Sequence, residues 1–228
     1  MEQATVSLLK LRGRGVLVDG NIILTAAHCI NFETTGGMVL GDYYIEDIKT
    51  AKGVKFKVRP IAVEPVADIA ALGSVDDQVL PEEADAFEGF CETTKPVRLC
   101  VCDFKVFKSF PVFVLNANGK WVRGYAQKCK DDANSFWFET EEGLKGGASG
   151  GPIVNSSGEL VGIVSHFSGT KVMKEGLTPR PHLTLPVWVC QRIRDSKPRP
   201  VVRKWTKSLV TGGKAPEIDH NLSSKQKD

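Results

Sequence analysis

Apolar and polar positions exchange in short runs along most of the chain, a spacing that predicts strands rather than long helices. Thr5 to Leu11 and Gly15 to Val18 alternate or run apolar, and Asp19-Gly20 before Asn21 is a hairpin signal. Asn21 to Leu24 forms the next strand and delivers Thr25 to His28 at its end, where a short helical turn is expected. Tyr43 to Glu46, Val54 to Val63 and Val66 to Leu72 read as further strands, with Lys55, Lys57 and Arg59 alternating outward in the second. The second half repeats the pattern with Val97 to Cys102, Pro111 to Leu115, Trp121 to Gln127 after an Asn118-Gly119 turn, and Phe136 to Glu139. Pro152 to Val154 and Leu160 to Ser165 make a hairpin around Asn155 to Gly158, and Leu183 to Leu185 reads as a last strand. Val187, Cys190, Gln191 and Arg194 stand at helical spacing, so a short closing helix is expected over Val187 to Arg194.

Composition shifts divide the chain at two places. Residues 74–95 are acidic, carrying Asp76, Asp77, Glu82, Glu83, Asp85, Glu88 and Glu92. Pro81 ahead of Glu82-Glu83 is a helix start, with proline in the first turn and carboxylates at the positive end of the dipole. This stretch is expected to connect a first unit, residues 1–73, to a second, residues 96–195. Residues 196–228 form a basic, proline-broken and then polar tail, with Trp205 its only large aromatic and a candidate to pack back on the domain. Such a composition is expected to be loosely ordered.

The 228 residues suffice for one sizeable core or two small packed ones. A net charge of +3 is too small to imply a nucleic-acid partner, although the basic tail leaves an anionic one open. No apolar stretch is long enough to span a bilayer. Met1 to Thr5 has no basic region leading into a long apolar run, so a cytoplasmic location is expected. The six cysteines are then expected to be thiols, and Cys100-Val101-Cys102 lacks the further ligands that a metal clip needs. No cofactor or metal is called for.

The chemistry gathers at Gly147-Ala148-Ser149-Gly150-Gly151-Pro152. Glycines permit backbone angles closed to other residues and leave N–H groups bare to an approaching carbonyl. A serine hydroxyl is a weak nucleophile until a base takes its proton, and the base must be oriented. Thr25-Ala26-Ala27-His28-Cys29 offers the base, and Ala67-Asp68-Ile69-Ala70-Ala71-Leu72 offers the orienting carboxylate at the mouth of an apolar run. Asp47, Asp76 and Asp77 are the alternatives to Asp68.

The three motifs, in the order His, Asp, Ser, resemble those of the trypsin-like (chymotrypsin-fold) serine peptidases over roughly the first 195 residues. The resemblance implies an all-β protein of two packed six-stranded Greek-key-type β-barrels with a short C-terminal helix. It implies a catalytic triad of His28, Asp68 and Ser149, and an oxyanion hole from the Gly147 and Ser149 backbone N–H groups. It puts Gly143, Leu144 and Lys145 on one wall of the substrate pocket and Ser165, His166 and Phe167 on the other. Gly143 at the base of that pocket does not support a strict Arg/Lys preference, while His166 leaves an acidic or amide-bearing side chain open.

Three departures from the secreted members of that family point the same way. The stretch Arg12 to Val16 holds no partner cysteine for Cys29, Lys145 stands where many carry a cysteine, and Ala148 replaces the aspartate that pairs with a newly cut amine. The chain therefore resembles the intracellular bacterial type and is expected to be active without disulfides or N-terminal processing. The expected function is serine endopeptidase on protein or peptide substrates, with a regulatory protein partner left open. The alternatives are a protein-binding module on the same scaffold and a viral polyprotein-processing peptidase.

Overall fold

Short strands rich in Val, Ile and Leu build two barrels, because each strand buries one face and no single sheet can cover the other. The structure, a computed structural model, describes residues 1–31, 45–105, 108–130, 132–167 and 173–196, with residues 166–167 and 173–175 described by backbone alone. Half of the strand expected at Tyr43 to Glu46, residues 43–44, and the basic tail from Lys197 lie outside the described residues.

The first barrel is closed by β1 (Thr5–Leu8), β2 (Arg14–Val18), β3 (Ile22–Thr25), β4 (Glu46–Thr50), β5 (Lys55–Glu64) and β6 (Ile69–Gly73), in the order β1-β2-β3-β6-β5-β4. Gly15↔Thr25 through Val18↔Ile22 sets the β2–β3 register, and the turn between them puts Gly20 and Asn21 in the left-handed region at φ 83° and 56°. β3 and β6 are buried along their whole length. One face fills the barrel, while the core cluster they belong to also takes in Val154, Leu160, Ile163, Val189 and Ile193 from the second half of the chain.

The acidic connector forms α1 (Pro81–Thr93), starting at its proline. Ala84, Phe87 and Phe90 are buried at three-residue spacing, and both phenyl rings lie against Phe56 of β5, with centroids 6.0 and 5.5 Å away. The acidic face stays outside, where Glu83 reaches Lys57 at 2.9 Å. The strand expected at Val97 to Cys102 is reduced to two isolated bridges, Val18↔Val97 and Leu99↔Leu160. The segment touches one rung of each barrel as it passes between them and has no continuous partner.

The second barrel comprises β7 (Phe110–Leu115), β8 (Trp121–Lys128), β9 (Ser135–Leu144), β10 (Pro152–Asn155), β11 (Leu160–Ile163), β12 (His166–Phe167) and β13 (Met173–Pro179), in the order β11-β10-β7-β8-β9-β13-β12. It is nearly closed, with the two-residue β12 added to six longer strands. β11 packs onto β13 at Gly162, where a Cβ would stand 2.0 Å from Thr178 Oγ1.

The last strand is therefore β13, and the one expected at Leu183 to Leu185 is instead the helical turn α2 (Pro181–Thr184). Pro181 opens it, Leu185 N–H donates to the Pro181 carbonyl at 3.0 Å, and Thr184 Oγ1 donates to the Arg180 carbonyl at 2.9 Å. β13 carries Lys174-Glu175-Gly176 at its centre, which gives no alternating signal. The closing helix α3 (Val187–Asp195) is present, but its buried face is Val189, Cys190 and Ile193; Val187, Gln191 and Arg194 point to solvent. Burial follows the contact with the first barrel and so falls one to two positions from the expected stripe.

Removing the ring that ties α1 to β5 tests this packing. Phe87→Ala should lower the unfolding free energy by about 3–5 kcal/mol in urea or thermal denaturation, the cost of an aromatic cavity.

Candidate active site

Two alanines set the geometry of the histidine. Ala26 and Ala27 are 0% and 1% exposed, small enough for the chain leaving β3 to coil against the core. Cys29 and Ile30 N–H donate to the Ala26 and Ala27 carbonyls, both at 3.1 Å, which makes a single 3₁₀ turn with His28 on its outer side. The His28 side chain is 50% exposed, while Cys29 beside it is buried.

Asp68 closes the turn that enters β6, its N–H donating to the Pro65 carbonyl at 3.3 Å, and it does so at φ 55°. Aspartate is among the few side chains that tolerate this left-handed conformation. The carboxylate then meets the histidine twice. Oδ1 accepts the His28 backbone N–H at 2.9 Å, and Oδ2 lies 2.8 Å from Nδ1 of the ring. A carboxylate only accepts, so Nδ1 carries a proton, and in the neutral imidazole the lone pair is on Nε2. A third donor comes from the other barrel, since Ser165 Oγ reaches Oδ2 at 2.6 Å.

Burial pushes the Asp68 carboxyl up, but the hydrogen bonds from the His28 ring, Ser165 and the His28 amide outweigh it, and the net direction is down. His28 moves the other way. The hydrogen bond to Asp68 raises its pKa first, the Cys29 side chain adds to this, and partial burial opposes both. The pair therefore favours a carboxylate beside an imidazole of raised basicity.

Ser149 sits on a loop pressed against the hairpin that leads to His28. Arg14 N–H donates to the Ser149 carbonyl at 2.8 Å, and Gly150 N–H donates to the Val164 carbonyl at 2.7 Å. Gly150 has φ 76°, and a Cβ there would stand 2.1 Å from the Arg14 carbonyl oxygen and 2.4 Å from Thr25 Oγ1. Gly147 also has positive φ, 94°. Between them the Ala148 N–H turns back to the Lys145 carbonyl at 3.3 Å, and among the described residues no protein carbonyl accepts the Gly147 or Ser149 N–H. The Ala148 methyl is fully buried in the second barrel's core, where an acidic side chain would have no place.

The other residues expected around the pocket are placed unevenly. Gly143, next to last in β9, has φ 70°, and Lys145 just beyond the strand is exposed. Leu144 turns inward instead, 5% exposed in the second core, because β9 alternates and Leu144 falls on its inner face. The Ser165 hydroxyl is directed at Asp68 rather than along a pocket wall. His166 and Phe167 pair through their backbones with Leu177 and Gly176, and their side chains lie outside the description. Asp47, Asp76 and Asp77 do not reach His28 among the described contacts; Asp47 lies 3.5 Å from Lys57 and Asp76 accepts the Gln78 N–H at 2.9 Å.

The role of Ser165 as a donor to Asp68 was not visible in the sequence, for its partner is distant in the chain and no local pattern marks it. None of the six cysteines is in a disulfide. Among the described residues no three metal-ligating side chains converge, and no helix is long and apolar enough to cross a membrane.

Comparison with solved structures finds the same architecture elsewhere. The inactive form of the Rv3671c protease from M. tuberculosis superposes with a TM-score of 0.51 at 16% identity, over 86% of this chain and 89% of that one. The active form of the same protease gives 0.53 at 15% identity, over 88% and 84%. The serine endoprotease from Yersinia pestis gives 0.55 at 19% identity, over 85% of this chain and 64% of that one. At such identities the likeness is one of fold. No curated protein sequence matches the chain significantly. The profile of the trypsin-like peptidase domain, however, matches residues 13–163, well over half of the sequence, and the chain belongs to that family.

Proposed function

We propose that the protein is a serine endopeptidase that cleaves peptide bonds through an acyl-enzyme, with Ser149, His28 and Asp68 as its catalytic triad. The observation that carries this reading is the two-point bond between Asp68 and His28, on the same hairpin that seats the Ser149 loop. Nε2 of His28 takes the Ser149 hydroxyl proton as Oγ adds to the scissile carbonyl carbon. The oxyanion that forms is met by the Gly147 and Ser149 N–H groups, donors of a kind worth about 10²–10³ in rate each. The imidazolium, held by Asp68, gives its proton to the amine as the C–N bond breaks. Water then repeats the sequence on the ester and releases the acid.

The first test is labelling with a fluorophosphonate probe beside hydrolysis of a denatured protein substrate. Ser149→Ala should lose both completely and keep its unfolding midpoint, since a half-buried loop hydroxyl contributes little stability. Labelling or cleavage that survives in Ser149→Ala would overturn the assignment.

A pH profile tests the His28–Asp68 pair. The free enzyme needs a neutral His28, and Asp68 raises its pKa, so the acid limb of the labelling rate should lie above the ordinary histidine value of about 6.5. Asp68→Asn removes the charge and favours the wrong tautomer. It should move the limb to lower pH and reduce the rate by about 10⁴-fold.

Ser165 is a positioning residue, acting on the base through Asp68. Ser165→Ala removes a hydrogen bond to a charged group, a kind worth about 1.5–3 kcal/mol. The labelling rate should fall roughly tenfold or more, with the acid limb shifted and the unfolding midpoint little changed. Ser165→Thr, which keeps the hydroxyl, should recover part of the loss.

A further inference from the structure

Arg14, the first residue of β2, reaches the Ser149 loop by two routes. The backbone is the direct one: its N–H donates to the Ser149 carbonyl at 2.8 Å, while its carbonyl accepts Thr25 Oγ1 at 2.6 Å. The side chain takes the other. Nη2 crosses to the second barrel and donates to the Ala117 carbonyl at 2.5 Å, in the turn between β7 and β8. Asn116 holds that turn from within, its Oδ1 accepting the Asn118 and Lys120 N–H at 2.9 and 3.0 Å. Among the described residues the Arg14 bond is the one hydrogen bond that ties the turn to the first barrel.

Gly147 lies where the two routes meet. A Cβ there would stand 3.6 Å from the Ala117 methyl and 3.5 Å from the Arg12 carbonyl oxygen, so its backbone is flanked by the turn and by the chain entering β2. It sits at φ 94°, and a glycine has other conformations open to it at little cost. Its neighbours therefore decide which way its peptide faces.

We propose that the Arg14 guanidinium is a positioning residue for the oxyanion hole: by holding Ala117 in place, it fixes the Gly147 peptide with its N–H toward the substrate carbonyl. The inference rests on the peptidase reading, which assigns that N–H its role.

The energetics of the side chain favour this role over a stabilising one. The guanidinium is partly withdrawn from water, and burial lowers its pKa. Nε is buried without a hydrogen-bond partner, and among the described residues no carboxylate pairs with the charge. A cation desolvated for one neutral acceptor costs stability rather than adding to it. An apolar side chain of the same length would serve the fold as well. What the arginine contributes is the position of Ala117.

Fluorophosphonate labelling of the full-length chain, followed over probe concentration and pH, tests it. Arg14→Met keeps the stem and drops the donor. Its labelling rate at saturating probe should fall about 10–100-fold, the loss expected when a catalytic group is displaced by a fraction of an ångström to one ångström. The half-saturating probe concentration and the unfolding midpoint should change little. The acid limb should stay in place, unlike that of Ser165→Ala, because Arg14 is not among the groups that set the His28 pKa. Arg14→Lys restores a donor and should recover part of the rate. Ala117→Gly leaves Arg14 intact but removes the methyl beside Gly147; it should slow labelling by itself and add little to Arg14→Met. An undiminished rate in Arg14→Met or in Ala117→Gly, a displaced acid limb, or full additivity of the two would overturn this inference and leave the peptidase reading standing. Unsubstituted protein that does not label at Ser149 would overturn both.

Discussion

The closeness of two backbones at Gly150 governs the rest of this molecule. The loop bearing Ser149 approaches the β2–β3 hairpin so nearly that a Cβ would fall 2.1 Å from the Arg14 carbonyl oxygen. That approach lets Arg14 N–H reach the Ser149 carbonyl, and it fixes a serine of the second barrel against the strand end that carries His28 in the first. No disulfide holds the barrels in this relation. Their shared apolar cluster does, with Ile163 and Val154 packing into the core of β3 and β6. The complete burial of those two strands and the placement of Ser149 are thus one fact seen at two scales.

Asp68 shows what such a junction costs and returns. Its backbone is held at φ 55°, and its carboxylate is largely withdrawn from water; both are unfavourable by themselves. Three donors offset this, two from His28 and one from Ser165. Ser165 lies just beyond β11, in the second barrel, so the third donor is in place only when the barrels are docked. Barrel docking and the orientation of the imidazole are coupled through one oxygen atom, Oδ2, which takes both the ring N–H and the serine hydroxyl. A buried carboxylate with all its partners in place specifies a geometry more than it stabilises a fold.

How much of this was legible in the sequence depends on how local each signal is. The Asp19-Gly20 turn, the proline that opens α1, the 3₁₀ turn at His28 and the glycines around Ser149 are written within a few residues, and the structure places each accordingly. β13 was not legible, because Lys174-Glu175-Gly176 carries neither alternation nor β-branched residues; it is a strand through its pairing with β9 from Ser135 to Leu144. Leu183 to Leu185 looked like a strand by residue type, yet Pro181 and the Thr184 hydroxyl commit it to a helical turn. The stripe on α3 was misplaced because helical spacing gives a period but not the angle at which a neighbour will cover it. Ser165 is the extreme case: one hydroxyl whose meaning lies entirely in a residue of the other barrel.

Cys29 and Gly13 explain how the histidine turn is held without a crosslink. The residue facing Cys29 across the barrel wall is Gly13, and a Cβ there would stand 2.5 Å from the Cys29 Sγ and 2.6 Å from its Cβ. The thiol occupies the space that a second side chain would need, and it is 2% exposed. Position 13 therefore stays without a side chain for a reason of volume, and the turn gains by packing what a bridge would have supplied by connectivity. The residue next to His28 thus ties the 3₁₀ turn into the core of the first barrel.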